Sequence, residues 1–204
     1  IFSRSSMGFI HYFLQLLAKT HFVNFILGSR FDIHNEYGSA FVPRIGFTKK
    51  IKRFNFKFLY TNSFRAPSIE NINLTNPDEG IKPEQTNAIE LEVGYQFTRH
   101  SILTFNFFDF TTKNPIVYYY DDSLFTDNYH NFGGSGSRGF EAEYKIKDKW
   151  GYVTINYSFY TVQRKEKIED YAVEKNEKVL LAFPAHKINL NSSFNIGKHI
   201  SINP

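Results

Sequence analysis

The feature that most constrains the fold is a strict alternation of apolar and polar residues, repeated in segments of about ten residues. In residues 152–160 the odd positions are apolar, and in residues 187–196 the even positions are apolar. Residues 54–61, 88–97 and 140–146 repeat the pattern. Because successive side chains of a strand point to opposite faces, each segment is predicted to have one apolar and one polar face. The chain is therefore predicted to be all-β, an antiparallel sheet of about ten strands.

The composition excludes several other classes of protein. Aromatic residues make up 18% of the chain, with 23 Phe and 13 Tyr, yet the mean hydropathy is −0.38. A spanning helix needs roughly 18 apolar residues, and the nearest candidate, residues 9–18, is interrupted by His11 and Gln15. The absence of cysteine excludes a disulfide scaffold and a thiolate metal site. A net charge of +4 without a nucleic-acid-binding motif argues against a nucleic-acid partner.

The links between these segments alternate in length. Short links are predicted at residues 18–21, 49–52, 98–100, 147–151 and 197–199. Longer links are predicted at residues 34–40, 65–84, 112–137 and 164–183. Outer-membrane barrels have tight turns at one end and longer loops at the other, whereas a soluble sandwich has no reason to keep its long loops at one end. The alternation favours a transmembrane barrel, in which the mixed charge run at 164–178 would be a solvated surface.

The most specific motifs lie in residues 61–98, where an Arg-Ala-Pro turn, an Asn-Pro turn and a Lys-Pro-Glu exit join two strands. This stretch resembles the TonB-dependent outer-membrane receptors, in which the same short motifs occur in the same order before a Glu-Leu-x-x-x-Tyr strand. The matching residues are Ser63, Phe64, Arg65, Ala66, Pro67, Asn76, Pro77, Lys82, Pro83, Glu84, Glu90, Leu91, Gly94 and Tyr95. Residues 27–32, 43–46 and 139–141 resemble further strand signatures of the same family.

The resemblance implies that residues 1–204 are one partial barrel domain. Receptors of this family have a barrel of about twenty-two strands, together with a plug domain and an energy-coupling box that have no counterpart here. A sheet in hydrocarbon must close, because an unpaired strand edge cannot be hydrated there. We therefore expect the chain to be a fragment of a longer protein, and we expect it not to fold alone because its outer strand edges would be open.

Catalysis is not expected from this sequence. Glu141 and Glu143 share one strand face, as do Glu90 and Glu92. Carboxylates at positions i and i+2 lie about 7 Å apart, which is within the range of a glycosidase pair. The alternative, which we favour, is charge that faces the barrel lumen and pairs with a plug or with water. Neither a nucleophile elbow nor a phosphate-binding glycine loop is present, so we predict that the protein is not an enzyme.

Histidines are scattered, and no close metal-ligand pair is found among them. His34 and His130 fall on the side of the long links, where they could meet haem or a metal chelate. Haem-uptake members of the family carry a histidine between the Phe-Arg-Ala-Pro and Asn-Pro boxes. Residues 68–75 contain none, and this departure disfavours haem. We predict neither a bound cofactor nor a metal site.

The long link at 112–137 is the best candidate for ligand binding. Its candidate residues are Tyr118, Tyr119, Tyr120, Tyr129 and His130, to which Arg65 is added at the same mouth. Aromatic faces with polar tips suit flat catecholate chelates, corrins or sugars, and Lys82 and Lys113 could attract an anion. Two alternatives stay open, namely an aromatic girdle at the membrane boundary and a short hairpin that extends the barrel rim.

The resemblance implies an active transporter of the bacterial outer membrane, energised by the inner-membrane TonB-ExbB-ExbD complex. An iron-siderophore is the first candidate ligand, and cobalamin, haem and oligosaccharide follow. Lipid of the outer membrane would cover the apolar strand faces. Two rivals remain. A passive porin-like or adhesin barrel would share the alternation without energy coupling, and a soluble all-β binding domain would need both sheet faces covered by protein.

Overall fold

The computed structural model describes residues 8–34, 38–76, 80–122, 125–162, 172–173, 176–180, 184–197 and 200–203. One sheet contains ten strands: β1 (Phe9–Lys19), β2 (Asn24–His34), β3 (Gly38–Ile51), β4 (Phe54–Arg65), β5 (Glu84–Gln96), β6 (Ser101–Lys113), β9 (Gly134–Asp148), β10 (Gly151–Val162), β13 (His186–Ile196) and β14 (Ile200–Ile202). Two small hairpins lie in the long links: β7 (Ile116–Asp121) with β8 (Thr126–Asn131), and β11 (Ala172–Val173) with β12 (Asn176–Leu180). A short helix, α1 (Ile69–Asn73), follows β4.

Strand order in the ten-stranded sheet follows chain order, interrupted only by the two hairpins. Every pairing between the described strands is antiparallel, so the all-β prediction and the strand count are confirmed. In the described part of the chain β1 and β14 each pair on one side only, which leaves the sheet open. No helix of the described residues is long and apolar enough to cross a membrane.

The register places the apolar rows of neighbouring strands on one face. Leu91 of β5 lies opposite Phe58 of β4 and Phe107 of β6. Ile155 of β10 lies opposite Leu190 of β13. A shift of one residue would move a whole row of side chains to the other face. The agreement across strands therefore gives the sheet one apolar and one polar face. We call the two surfaces the apolar face and the polar face.

The apolar face is exposed, unlike the core of a soluble protein. Leu190 is 67% exposed and Leu91 is 46% exposed, whereas the side chain of Glu92 on the polar face is 33% exposed. Within the described residues the buried apolar side chains are small ones, Ala40, Ala88 and Val117. An apolar surface of this extent requires an apolar medium or a partner to cover it, and a transmembrane barrel supplies lipid.

Hydrogen bonds between turns tie the short-link end together. The Lys49 ammonium donates to the carbonyl of His21 in the preceding turn at 2.7 Å. Arg53 donates to the carbonyl of Phe97 two strands further on at 3.2 Å. These basic side chains satisfy carbonyls that have no partner in the strand ladder, so the ends of neighbouring hairpins are held in line.

The observed links agree with the predicted alternation at all but one position. The bounds of the sheet strands leave short intervals at 20–23, 52–53, 97–100, 149–150 and 197–199, and long intervals at 66–83, 114–133 and 163–185. The prediction of a long link at 34–40 is wrong, because β2 and β3 stay paired until His34 lies opposite Gly38 and only 35–37 remain between them. Gly38 has a φ of 74°, which glycine adopts without strain. Most of the charge run at 164–178 lies outside the described residues.

Gly139 lies where β9 leaves no room for a side chain beside β10. A Cβ added there would overlap the carbonyl oxygen of Phe159 and lie 2.9 Å from the Cα of Tyr160. The ring of Phe108 on β6 covers the same spot, with its Cζ 2.8 Å from that Cβ position. Glycine is therefore the residue that allows the two backbones and the ring to meet.

Substitution of Gly139 by alanine is expected to destabilise the barrel by about 1–3 kcal/mol, because the surrounding backbone has to move. The matched control is Gly94→Ala on β5, where an added Cβ meets its nearest neighbour at 3.5 Å. Equilibrium unfolding of the two variants in the full receptor measures the difference. Equal stabilities would contradict the close approach described here.

Arginine introduced at Ile155 or Leu190 is expected to cost about 2–4 kcal/mol near the bilayer midplane, because it exposes a charge to lipid. Arginine at Asn156, the next residue of β10 on the polar face, is the control and is expected to cost little. Folding titrations of the receptor in lipid vesicles give the free energies. Equal tolerance at both faces would refute the membrane placement.

Candidate functional site

Helix α1 begins in the long link between β4 and β5 because a capping box holds its first turn. The backbone N–H of Asn71 donates to the Ser68 hydroxyl at 3.2 Å, and the Ser68 N–H donates to the Asn71 side chain at 2.9 Å. Reciprocal bonds of this kind satisfy donors that a helix start leaves open. The link thereby acquires a defined shape instead of depending on contacts with ligand.

The β7–β8 hairpin packs against this link through hydrogen bonds to main-chain carbonyls. The N–H of Tyr129 donates to the carbonyl of Leu74 at 3.2 Å, and the Thr75 hydroxyl donates to the carbonyl of Tyr129 at 3.1 Å. Thr75 is 7% exposed, and the phenol of Tyr129 lies 3.4 Å from a carboxylate oxygen of Glu70 on α1. The long-link end therefore carries a single packed unit, which we call the rim unit, made of residues 66–76, 80–83 and 114–133 where the structure describes them.

Asn131 joins the two halves of the rim unit at the base of the hairpin. Its carbonyl oxygen accepts from the N–H of Lys82 at 2.6 Å. Its amide nitrogen donates to the carbonyls of Lys82 and Asn114, both at 2.9 Å. The Asn131 side chain thus hydrogen-bonds to main-chain groups of both long links, and it satisfies polar groups there that would otherwise need another partner.

Glu84 is the second joint, at the first residue of β5. Arg65, directly opposite on β4, donates to its two carboxylate oxygens at 2.5 and 2.7 Å. The same carboxylate accepts from the N–H of Ile116 at 2.6 Å, which anchors the start of β7. Glu84 is largely buried, with 15% of its side chain exposed, against 61% for Arg65. A two-pronged pair of this geometry is the strong form of a charged hydrogen bond.

The aromatic residues predicted as ligand contacts lie on both sides of the hairpin. Tyr118 stacks edge-on against Tyr129 at a centroid distance of 5.7 Å, and Tyr120 lies on the same side, half exposed. Tyr119 and His130 lie on the other side, with their rings 4.5 Å apart. The structure therefore groups Tyr118, Tyr120 and Tyr129, separates Tyr119 and His130 from them, and places Arg65 in the joint with Glu84. The segment forms a hairpin at the rim, which was one of the two alternatives. Contact of these residues with ligand stays a prediction.

The exposed side of the hairpin carries a charged hydrogen bond. Tyr118 donates its phenol proton to Asp127 across the hairpin at 2.5 Å. This bond raises the pKa of the Tyr118 phenol above its ordinary value, because the carboxylate favours the protonated partner. The phenol is accordingly a neutral donor at physiological pH, held in place beside Tyr129.

The other side of the hairpin faces a small cavity of about 250 Å³. Its lining residues are Gly80, Lys82, Asn114, His130, Asn131, Phe132 and Gly133. The rings of His130 and Phe132 lie 4.7 Å apart at its edge. Of the predicted site residues, His130 therefore contributes to a cavity, although one too small for a whole chelate.

A larger cavity of about 890 Å³ lies on the polar face, over β6, β9, β10 and β13. Sequence reasoning missed its aromatic lining, which includes Phe108, Phe110 and Tyr160 together with Lys187. The signal was present, because these three aromatic residues occupy positions of the polar parity. In β6 this appeared only as a less regular alternation, since Phe107 and Phe108 are adjacent.

The four glutamates considered for catalysis all lie on the polar face. Lys57 pairs with Glu92 at 3.5 Å, and Ser158 donates to Glu141 at 3.4 Å. Within the described ranges, no three His, Asp or Glu side chains converge to hold a metal ion. Glu92 and Glu141 therefore take part in the charge and hydrogen-bond pattern of the wall.

Comparison with known proteins agrees with this architecture. Residues 2–199 match the family model described as TonB dependent receptor-like, beta-barrel. No curated protein sequence matches the chain significantly. The match extends over nearly the whole chain, so it includes β1 to β13, both joints of the rim unit and the larger cavity.

Solved structures of similar fold include siderophore receptors. PirA from Acinetobacter baumannii matches with a TM-score of 0.74 and 17% identity, over 97% of this chain and 32% of that one. A mutant of PfeA from Pseudomonas aeruginosa, in complex with enterobactin, matches with 0.74 and 15%, over 97% and 32%. FpvA from Pseudomonas aeruginosa, bound to pyoverdine, matches with 0.68 and 13%, over 94% and 29%. The chain thus spans about a third of the length of these receptors, and it belongs to the TonB-dependent receptor β-barrel family of the bacterial outer membrane.

Proposed function

We propose that the chain is the barrel segment of an active outer-membrane importer that takes up an iron-siderophore. The observation that carries the proposal is the family match over residues 2–199. In this proposal the TonB-ExbB-ExbD complex of the inner membrane supplies energy through a plug region outside this chain. Lipid covers the apolar face, and the long-link end is the extracellular mouth where ligand arrives.

Siderophore is preferred over the other ligands for two reasons. The receptors of similar fold include one in complex with enterobactin and one bound to pyoverdine. The long-link end also carries aromatic rings with phenol groups, such as Tyr118 and Tyr129, which suit flat chelates with polar edges. Haem is disfavoured because residues 68–75 contain no histidine between the two motif boxes.

The rim unit gives the proposed importer a defined mouth. Glu84 and Asn131 connect both long links to the first residues of β5 and to each other. A ligand that contacts the hairpin would therefore also affect the position of the link that contains α1. Preorganised contacts of this kind lower the ordering cost of binding, and they let a contact on one loop reposition the other.

The proposal is tested by growth of the source bacterium on ferric siderophores under iron limitation. Deletion of the parent gene is expected to abolish growth on at least one ferric siderophore, and plasmid-borne receptor is expected to restore it. The same complemented strain lacking TonB should lose growth, because energy coupling is required. Uptake that persists without TonB would refute active transport and support a passive barrel.

The coupling within the rim unit is tested by hydrogen exchange. In Asn131→Asp the side chain keeps its acceptor but loses the two bonds donated to Lys82 and Asn114. Backbone amides of residues 116–131 are expected to exchange faster, by about 5- to 100-fold, because the two lost hydrogen bonds together cost about 1–3 kcal/mol.

The matched control is Asn128→Asp on the same strand, whose amide donates only within its own turn, to Thr126. This variant is expected to leave exchange in α1 and at the base of the hairpin unchanged. Equal effects of the two variants on the amides at the base of the hairpin would show that Asn131 does not join the two links.

A further inference from the structure

The turn between β3 and β4 is the centre of a group of positive charges at the short-link end. Three neighbouring hairpin ends meet there, at residues 20–23, 49–53 and 97–100. The Lys49 ammonium donates to a carbonyl of the first hairpin end at 2.7 Å, and Arg53 donates to a carbonyl of the third at 3.2 Å. We call the lysines and arginines of these three segments the basic cluster: Lys49, Lys50, Lys52, Arg53 and Arg99.

The charge of the basic cluster is not neutralised by the protein around it. The same three segments contain no Asp or Glu, and in the described part of the chain no member of the cluster takes part in an ion pair. A lysine has three donors and an arginine has five, so Lys49 and Arg53 keep donors for a further acceptor. An uncompensated group of cations of this kind attracts an anionic partner.

The opposite end of the sheet shows that this charge is not a general property of the links. In its described residues the rim unit has a single lysine and four carboxylates, namely Lys82, Glu70, Asp121, Asp122 and Asp127. Solvated links would be expected to carry mixed charge at both ends. The two ends of the barrel therefore present opposite charge, and only the short-link end suits an anion.

Lys52 occupies a position that its side chain does not favour. It is the first residue of the two-residue turn between β3 and β4, and its φ is 54°. Glycine or asparagine usually supplies a positive φ in such a turn, because other side chains strain the backbone there. A strained residue that a better one could replace indicates a role outside the fold, and for Lys52 this role is its charge.

The basic cluster adjoins the apolar face, which lies against lipid in an outer-membrane barrel. Ile51 and Phe54 lie opposite each other at the end of that face, and both are exposed. Lys49 lies opposite Phe56 in the same row, so its aliphatic stem belongs to the apolar face and its ammonium extends beyond it. Phe22, in the neighbouring turn, is 80% exposed. Apolar side chains thus pass directly into cations, as in a membrane interface.

We propose that the basic cluster binds the phosphate headgroup of an anionic phospholipid in the periplasmic leaflet of the outer membrane. Lys49, Lys52 and Arg53 hold the phosphate oxygens, and the acyl chains lie along Ile51 and Phe54. The short links of such barrels are periplasmic, so the headgroup lies at the depth where the apolar face ends. A free phosphate has no part that would cover the apolar side chains, and a phospholipid has both. The site is independent of the transported ligand.

The test measures lipid binding to the full receptor in neutral detergent by native mass spectrometry. The probes are dioctanoyl phosphatidylglycerol, which is anionic, and dioctanoyl phosphatidylcholine, which has no net charge. The anionic lipid is expected to bind more tightly. The double variant Lys52→Gln/Arg53→Gln is expected to weaken its binding about 5- to 25-fold, because each cation near a lipid surface contributes about fivefold.

The matched control, Lys145→Gln/Lys187→Gln, removes two cations from the polar face and is expected to leave lipid binding unchanged. Equal losses in the two double variants would overturn the site, since they would reduce it to an effect of net charge. Equal affinity of the wild-type receptor for the two lipids would also overturn it. Glycerol phosphate that binds as tightly as phosphatidylglycerol would overturn the assignment to lipid.

Lys52→Asn separates the charge of this residue from its place in the fold. Asparagine tolerates the positive φ, so the melting temperature is expected to stay the same or rise. Affinity for phosphatidylglycerol is expected to fall about two- to fivefold. A lowered melting temperature with unchanged lipid affinity would identify a structural lysine and overturn its role in headgroup binding.

Discussion

Every strand of the ten-stranded sheet must keep its main apolar row on the same face, and the other features of the structure depend on that constraint. In hydrocarbon, backbone groups can be satisfied only by the neighbouring strand, so register and side-chain parity have to agree along the whole sheet. Leu91, Phe58 and Phe107 illustrate the agreement, since they face one another across three strands. A slip of one residue in any pair would place charged side chains such as Glu92 in lipid.

The same pairing explains why motif residues at the rim are structural. Arg65 ends β4 and Glu84 begins β5, and the register that aligns the strand interiors brings these two residues opposite each other. Their ion pair then offers a carboxylate oxygen to the N–H of Ile116. Arg65 of the Arg-Ala-Pro motif and Glu84 of the Lys-Pro-Glu motif therefore act together as a joint between the two long links. The two motifs are separated in the sequence because the link between them leaves the sheet at the end of β4 and returns to it at the start of β5.

Sequence alone was sufficient for the strands, their faces and most of their links, because these depend on a period of two and on turn residues. It failed at His34 and residues 38–40, which were predicted to be part of a long link but continue the pairing of β2 with β3. It also could not identify Asn131 as a joint, because its partners Lys82 and Asn114 are defined by tertiary packing. The predicted aromatic cluster was separated for a related reason. Adjacent residues of a strand, such as Tyr118 and Tyr119, necessarily face opposite sides.

Apolar and aromatic side chains also occupy positions of the polar parity, at both ends of β6 and β10. In the middle of these strands the polar parity is kept by Asn106 and Asn156. It is broken towards the long links by Phe108, Phe110 and Tyr160, and towards the short links by Ile102 and Tyr152. Lipid cannot account for these side chains, because they lie on the face opposite the apolar rows. The period of two therefore defines the lipid-facing side of each strand strictly, whereas the opposite side has a polar middle between less regular ends.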